Sequence, residues 1–497
     1  MSAVVNSFQA EPLPSRTIPV AMGDGIGPEI MAATLRVLRA ADPALTFHEV
    51  PMGLKAYEAG HGTGITPEAL AAVDEHGVLL KAPLATPQGG GYKSVNVTLR
   101  KTLGLFANVR PCVAYHPVLA AAHPRMDLVV VRENEEDTYA GIEHRQTDEV
   151  VQCLKLITRP GCERIVRHAF EYARANGRRK VTCMTKDNIM KLTDGLFHAV
   201  FDEIGASYPD IEREHMIIDI GTARVATRPR DFDVVVTPNL YGDILSDVAA
   251  EVAGSIGLAP SANIGFRAAM FEAVHGSAPD IAGRDLANPS GLLLSAVMML
   301  VHLGRPGPAA AIHNAWLRTL EDGVRTPELP AQRGTRVVGT QAFAKEVIAR
   351  LGQLPRKLPV ATYPDKPASP AAPGAPAPAV LAPTTKTLDG TDVFLHWDAA
   401  GRDPAALARE LDAVAGPEYR LELITNRGVR VFPAGHGQTL CSDHWRCRMR
   451  PAPGQAIDRG SLPRLLARAA AAGLDVVKTE NLYQFDGKAG YSPAQGA

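Results

Sequence analysis

Thr17-Ile-Pro-Val-Ala-Met-Gly-Asp-Gly-Ile-Gly-Pro-Glu29 reads as an apolar strand, a turn and the opening of a helix. Its glycines at 23, 25 and 27 lack the G-x-G-x-x-G spacing, so this is not the turn of a Rossmann dinucleotide fold. The alternation it starts continues along the chain. Thr17 to Met22, Val78 to Ala82, Leu128 to Val131, Lys180 to Met184, Met216 to Ile220 and Val234 to Val236 read as strands. Pro28 to Ala40, Pro67 to Glu75, Cys162 to Ala175, Gly195 to Ile204 and Ile244 to Ser255 carry helical periodicity. The class is therefore α/β, with helices covering both faces of a largely parallel sheet. Ile142 to Ile157 breaks the pattern and reads as a hairpin turning near Thr147-Asp148-Glu149.

The chain of 497 residues has room for two or three domains, and 46% apolar residues allow a sizeable core. A net charge of −1 gives no general attraction to nucleic acid or membrane, which points to a small-molecule partner. The six cysteines form no disulfide framework. The N-terminal stretch lacks a basic region ahead of an apolar one, as a secretory signal would have. The longest apolar run, Leu292 to Leu303, is too short to span a bilayer, and a cytoplasmic location is the default expectation.

Composition changes near Leu354, where proline and alanine take over and residues 353–386 read as an extended linker. Beyond it, Asp392 to Trp397 (strand), Pro404 to Val414 (helix), Arg420 to Thr425 and Val429 to Phe432 (hairpin) open a second unit. Trp445 to Arg450 (strand), Leu462 to Ala472 (helix) and Asp475 to Thr479 (strand) complete a ferredoxin-like β-α-β-β-α-β order. Cys441, His444 and Cys447 are possible metal ligands there, but their spacing matches no standard zinc pattern. Glu480-Asn-Leu-Tyr-Gln-Phe485 looks like a tag-cleavage site in the wrong residue order and reads as native.

Two stretches carry chemistry. Gly89-Gly-Gly-Tyr-Lys-Ser94-Val-Asn96-Val-Thr-Leu-Arg100 places two neutral hydrogen-bonding side chains and a guanidinium after a glycine triplet, with Arg110 and Arg132 following. Arginine's planar fork matches a carboxylate bidentately, so three of them with Ser94 and Asn96 suit a small polycarboxylate. Any one arginine alone reads as a solvated surface residue. Arg132 departs from that, because it ends the apolar run Leu128 to Val131. In the second stretch, Asp233 to Asp247, a strand and a turn lead into a helix, with Asp243 and Asp247 one turn apart on one face. Such a pair suits Mg²⁺ or Mn²⁺. Spacing alone equally allows Asp243 to be a residue favoured by the helix dipole, with Asp247 exposed.

Together these motifs resemble the β-decarboxylating dehydrogenases, the isocitrate and isopropylmalate dehydrogenase family, from about Arg16 to Gly352. Further matching pieces are Arg132-Glu-Asn-Glu-Glu-Asp-Thr-Tyr-Ala-Gly-Ile-Glu143, Lys186-Asp-Asn-Ile-Met-Lys191 and His275-Gly-Ser-Ala-Pro-Asp-Ile-Ala-Gly283. Ser94-x-Asn96-x-x-x-Arg100 is similar to the isocitrate branch, where isopropylmalate enzymes carry apolar residues; the tail resembles that of a long subgroup.

The resemblance implies a two-domain sheet fold with a clasp hairpin, plus a small α+β C-terminal domain. A large cofactor-binding domain would span residues 1–105 and 254–352, and a small domain 106–136 and 182–253. A dimer clasp would span 137–181, the linker 353–386 and the C-terminal domain 387–497. The activity it implies is oxidative decarboxylation of isocitrate to 2-oxoglutarate with NAD, in a homodimer that shares its active sites. Substrate would meet Ser94, Asn96, Arg100, Arg110 and Arg132. Mg²⁺ or Mn²⁺ would sit on Asp243 and Asp247 of one subunit and Asp219 of the other; Lys186 would take the hydroxyl proton and Tyr139 would protonate the enol. Cofactor contacts would fall on Lys81, Leu84, Thr86, Asn188, His275, Gly276, Ala278, Asp280, Ile281 and Asn288.

NADP-using relatives carry Lys-Tyr where this chain has Asp280-Ile281, and an acidic residue there favours the free ribose hydroxyls of NAD. Asp280 as a simple turn cap, with Arg284 near a phosphate, is the plainer alternative. Homoisocitrate or isopropylmalate oxidation, and a non-catalytic regulatory subunit, are the competing functions. The C-terminal unit reads either as a ligand-binding regulatory module or as an oligomerisation domain.

Overall fold

The computed structural model describes residues 13–86, 93–330, 334–364, 383–435 and 437–494. Gly89 to Gly91, Tyr92 and linker residues 365–382 lie outside the described residues. The chain divides into two compact units, residues 1–139 with 156–378, and residues 140–155 with 379–497.

The first unit begins with β1 (Arg16–Ala21), α1 (Gly27–Ala41), β2 (Leu45–Glu49), α2 (Leu54–Glu58), α3 (Pro67–His76) and β3 (Val78–Lys81). α4 (Val95–Thr102), β4 (Ala107–Val113) and β5 (Asp127–Glu133) follow. The hairpin β6 (Glu143–Arg145) and β7 (Val151–Cys153) belongs to the second unit. The first unit resumes with α5 (Arg159–Ala175), β8 (Lys180–Thr185), α6 (Thr193–Gly205), β9 (Glu212–Ile217), α7 (Ile218–Thr227), β10 (Val234–Thr237) and α8 (Asn239–Ala253). It closes with β11 (Pro260–Ile264), β12 (Ala269–Ala273), α9 (Ser290–His302), α10 (Pro306–Glu321), β13 (Val324–Arg325), β14 (Arg336–Val337) and α11 (Thr340–Ile348).

Ten strands form one sheet in the order β2-β1-β3-β12-β11-β4-β5-β10-β8-β9. Both wings are parallel, while β12-β11-β4-β5 at the centre run antiparallel to one another. Parallel strands need helical crossovers, so helices cover both faces and strands such as Val78–Lys81 are buried throughout. Helix ends follow their local chemistry: Thr66 caps α3 by accepting from the Ala69 amide, and Gly77 closes it in the left-handed region. The apolar run that starts at Leu292 is a core helix, and no helix among the described residues is long and apolar enough to cross a membrane.

Two sequence readings shift. Met216 to Ile220 is a strand only as far as Ile217, where β9 ends and helix α7 takes over, because the apolar run straddles a strand end and a helix start. α8 starts at Asn239 rather than Ile244, so Asp243 and Asp247 lie inside the helix, beyond the first turn where its dipole favours an acid. Residues 159–175 form a helix that packs on β5, β8, β10 and α6.

In the second unit, β15 (Lys386–His396), α12 (Pro404–Ala415), β16 (Tyr419–Asn426), β17 (Val429–Phe432), β18 (His444–Pro451), α13 (Ser461–Ala471), β19 (Asp475–Phe485) and β20 (Lys488–Ala489) make an antiparallel sheet. Its order is β17-β16-β18-β15-β19-β20. The inner four strands are the split βαββαβ motif, and β17 and β20 extend its edges. Trp445, Cys447 and Met449 alternate into the core with Val393, Leu407 and Leu465. Glu480–Phe485 lie in β19, beyond the strand end read at Thr479. The β6–β7 turn is tied to this sheet: Thr147 donates to Asp443 at 2.5 Å, and Arg402 holds the Glu149 carboxylate at 2.7 and 2.9 Å.

Candidate active site

The antiparallel centre of the large sheet has one polar face, and a cavity of about 230 Å³ opens on it. Alternate residues of β4, β11 and β12 supply Arg110, Ser261 and Glu272, while Arg132 enters from the end of β5 and Asp243 from α8. Ser94 and Asn96 come from the start of α4 and Arg100 from its last turn, and Tyr139 closes one side. Ser94 is the helix N-cap: its Oγ accepts from the Val97 amide at 3.4 Å and meets Thr86 Oγ1 at 3.2 Å. Asn96 Oδ1 and Arg100 Nε are shielded from solvent and have no hydrogen-bond partner, which for buried polar atoms calls for a ligand or water.

The cations are held by a buried network. Glu272 binds Lys81 Nζ at 2.6 Å and Arg100 Nη2 at 3.1 Å. Burial alone would raise the Glu272 carboxyl, but these two cations hold it well below the usual range. Arg110 Nε donates to Asn108 at 2.5 Å, Asn108 to Asn263 at 2.9 Å, and Asn263 to Glu272 at 2.9 Å. Arg110 also bridges Asp243 at 3.2 Å and Asp247 at 3.3 Å. Arg132 contacts Asp243, binds the Asn239 side chain at 2.7 Å and lies 4.8 Å from the Tyr139 ring centre. Burial, then the nearby Arg110 and Arg100, pushes Arg132 down from its ordinary value; a polyanion in the cavity would relieve that crowding. Sequence reasoning missed Glu272, Asn108 and Asn263, whose signal is a polar residue inside an otherwise apolar strand.

Tyr139 donates to Asp243, and burial raises its hydroxyl above the ordinary value, so it stays protonated near neutrality. Burial and Asp243 raise the Asp247 carboxyl, with Arg110 opposing them. Two carboxylates one helical turn apart, one of them raised mainly by burial, fit a hard divalent cation completed by water or substrate oxygens. Lys186 and Asp219 stand elsewhere. They pair at 2.6 Å where β8 ends and α7 begins, and neither lines the cavity.

Among the described residues, the His, Cys, Asp and Glu side chains clustered tightly enough to hold a metal are Asp187, His198 and His215. The two imidazoles stack 3.5 Å apart at 13°, so their in-plane lone pairs cannot converge on one ion. Asp187 is hydrogen-bonded to His198 at 2.7 Å, and the trio braces α6 against β9.

At the other end of the cavity lie Leu84, His275 and Gly276. The turn after β1 supports this strip: a Cβ on Gly23 would meet the Pro83 carbonyl at 2.5 Å, and one on Gly25 the Ser277 carbonyl at 2.0 Å. His275 Nε2 is shielded and unpartnered, and burial pushes its imidazole down. Ala278 takes a positive φ of 35°, Asp280 is exposed, and Ile281 packs against the main core. Thr86 and Asn188 are exposed. Lys81 and Asn288 have their side chains committed inside, to Glu272 and to Glu328 and the Ser290 amide.

The family description "Isocitrate/isopropylmalate dehydrogenase" matches residues 17–347, and "Bacterial isocitrate dehydrogenase, C-terminal domain" matches residues 386–497. The chain is similar to "Isocitrate dehydrogenase [NADP]" of Rickettsia felis, 51% identical over 96% of this chain and 99% of that one. It is also similar to "Isocitrate dehydrogenase [NADP]" of Thermus thermophilus, 45% identical over 97% and 96%. "Isocitrate dehydrogenase [NAD] subunit 2, mitochondrial" of Saccharomyces cerevisiae is 45% identical over 70% of this chain and 94% of its own. Among solved structures, the TT0538 protein of Thermus thermophilus gives a TM-score of 0.91 at 43% identity, covering 97% and 96%.

Proposed function

The chain belongs to the isocitrate/isopropylmalate dehydrogenase family, alongside the long bacterial isocitrate dehydrogenases, and we propose that it turns isocitrate into 2-oxoglutarate with NAD and Mg²⁺ or Mn²⁺. The carrying observation is the cavity itself, where Ser94, Asn96 and three arginines converge on Asp243 and Tyr139. Four cations (Lys81, Arg100, Arg110 and Arg132) meet three carboxylates (Glu272, Asp243 and Asp247) around it. The single positive charge left over, together with a divalent cation, balances a tricarboxylate.

Ser94, Asn96 and the arginines hold and orient the carboxylates. Asp243 and Asp247 hold the cation, which when bound acidifies the substrate hydroxyl and stabilises negative charge on the oxygen as carboxylate is lost. Lys186 is placed to accept the proton of the substrate hydroxyl; NAD, when bound, would supply the acceptor for the hydride of the same carbon. Tyr139, protonated and aimed at the cavity, returns a proton to carbon after CO₂ departs.

A second copy of the chain supplies Lys186 and Asp219 to this site. Ile189 and Leu192, shortly after Lys186, and Ile220 and Ile244, next to Asp219 and Asp243, are 48–65% exposed, an apolar surface suited to a homodimer contact. One similar protein is named a regulatory subunit; the retention here of the lysine, tyrosine, aspartates and arginines favours catalysis.

For the acceptor, exposed Asp280 favours NAD, because its charge repels a 2′-phosphate. NADP is the second reading, favoured by the names of the 51% and 45% identical relatives. Initial rates with isocitrate, isopropylmalate and homoisocitrate, each with NAD and NADP and with excess chelator, test the proposal. It predicts the highest kcat/KM for isocitrate with NAD, and loss of activity in chelator. A higher kcat/KM for either other acid, or full activity in chelator, overturns the substrate or metal reading; a preference for NADP overturns the reading of Asp280.

A further inference from the structure

The strands that floor the catalytic cavity carry a second cavity on their other face. On β4, Arg110 faces the first, whereas Val109 and Pro111 face the second; on β12, Glu272 and Phe271 divide in the same way. This is the period of two of a β-strand, so the cavities lie back to back across one sheet. The second is larger, about 480 Å³, within the range of small-molecule sites. It is walled by α5, α9 and α10 and by the segment containing Tyr363.

Its lining is mainly apolar, yet three imidazoles enter it, and His168 Nε2, His302 Nδ1 and His313 Nε2 are all shielded and without a hydrogen-bond partner. A packing void is lined by carbon; three orphaned ring nitrogens around one are not explained by packing. His313 Nδ1 is taken by the Tyr363 hydroxyl at 2.7 Å, which leaves Nε2 for something else. The charged group in the lining, Arg178, is already paired with Asp127 at 2.7 Å and Asp233 at 3.0 Å.

We propose that this cavity is a binding site for an uncharged, largely hydrocarbon molecule of about two fused rings that carries a hydroxyl or similar hydrogen-bonding group. The imidazoles supply its donors and acceptors. Burial pushes His168 and His313 down to about 4 and lowers His302, so near neutrality the rings are neutral and offer no charge to an anion.

The test uses the full chain at pH 7 and two probes of one shape, neutral 2-naphthol and anionic naphthalene-2-sulfonate, titrated calorimetrically. Trp316, edge-to-face with Tyr115 at 4.8 Å beside the cavity, gives a parallel fluorescence readout. One 2-naphthol per chain should bind at least tenfold more tightly than the sulfonate. Val297→Trp should cut 2-naphthol affinity at least tenfold while isocitrate turnover continues, because Val297 lies on the face away from the catalytic cavity. If that variant fails to fold, as shown by lost turnover, Met298→Trp, which lines the same cavity, replaces it. Absence of saturable 2-naphthol binding, equal binding of the sulfonate, or unchanged binding in a folded filled variant overturns the proposal. None of these outcomes depends on which acid or nucleotide the catalytic site uses.

Discussion

β4, β11 and β12 present two unlike faces from one backbone. Toward the catalytic cavity they carry Arg110, Ser261 and Glu272, with Asn108 and Asn263 bonded beneath them. Toward the other side they carry Val109, Ala262 and Phe271. The polar face is costly to bury and is tolerated because nearly every group is paired with another; the apolar side chains of the other face need no such pairing. Charge can therefore be concentrated in the middle of a buried sheet, provided the network around it is complete. The same completeness makes that face intolerant of single substitutions.

The largest expected effects are on the polar side. Lys186→Met and Tyr139→Phe should each lower kcat by roughly 10²–10⁴, the usual share of a positioned acid or base, with little change in melting temperature. Near-normal kcat with a lowered melting temperature would show that these residues only support the structure. Lys81→Met probes the network from below. It leaves Glu272 with Arg100 as its remaining cation and should cost about 3–5 kcal/mol of stability, the usual result of breaking a buried pair, measurable by denaturant titration. A loss under about 1 kcal/mol would mean that the face is less tightly coupled than its hydrogen bonds suggest.

The apolar side should show itself in pH dependence. His168 and His313 titrate near 4 when folded, against an ordinary 6.5, so the unfolded chain binds their protons first as pH falls. Stability should be flat with respect to these groups above about 6.5, and fall between 6.5 and 4 by up to roughly 1.4 kcal/mol per pH unit for each histidine. In His168→Phe with His313→Phe the slope in that window should shrink; an unchanged slope would place the titrating groups elsewhere. The smallest effect concerns the acceptor strip. Asp280→Lys with Ile281→Tyr should shift the NAD-to-NADP ratio of kcat/KM by about tenfold toward NADP, the size of one modest electrostatic contact.

Much of this was legible in the chain, at particular residues. The turn at 23–27 announced itself through glycines that leave no room for a Cβ against the Pro83 and Ser277 carbonyls. Ser94, Asn96 and the three arginines stood out because carboxylate-binding chemistry has recognisable residue types, whereas the helix cap at Ser94 showed only in the structure. Less legible was the span 216–220, where the apolar run Met216-Ile-Ile218 followed by Asp219 and Ile220 serves equally as a strand or a helix start. Glu272, Asn108 and Asn263 were missed because each looks like an isolated polar residue until its partners arrive from other strands.

The sequence by itself determined the local alphabet: the α/β alternation, the split βαββαβ tail, the helix caps and the kinds of side chain available for a tricarboxylate. These follow from periodicity and backbone preference, which act within a few residues. Only the tertiary structure decided that Glu272 would hold Lys81 and Arg100 together from about 170 to 190 positions away, and that three histidines from three helices would share one cavity. Such arrangements depend on which strands lie side by side, here β12 beside β11 and β3. Strand order is set by how the whole chain buries its apolar surface, a property no short stretch of it contains.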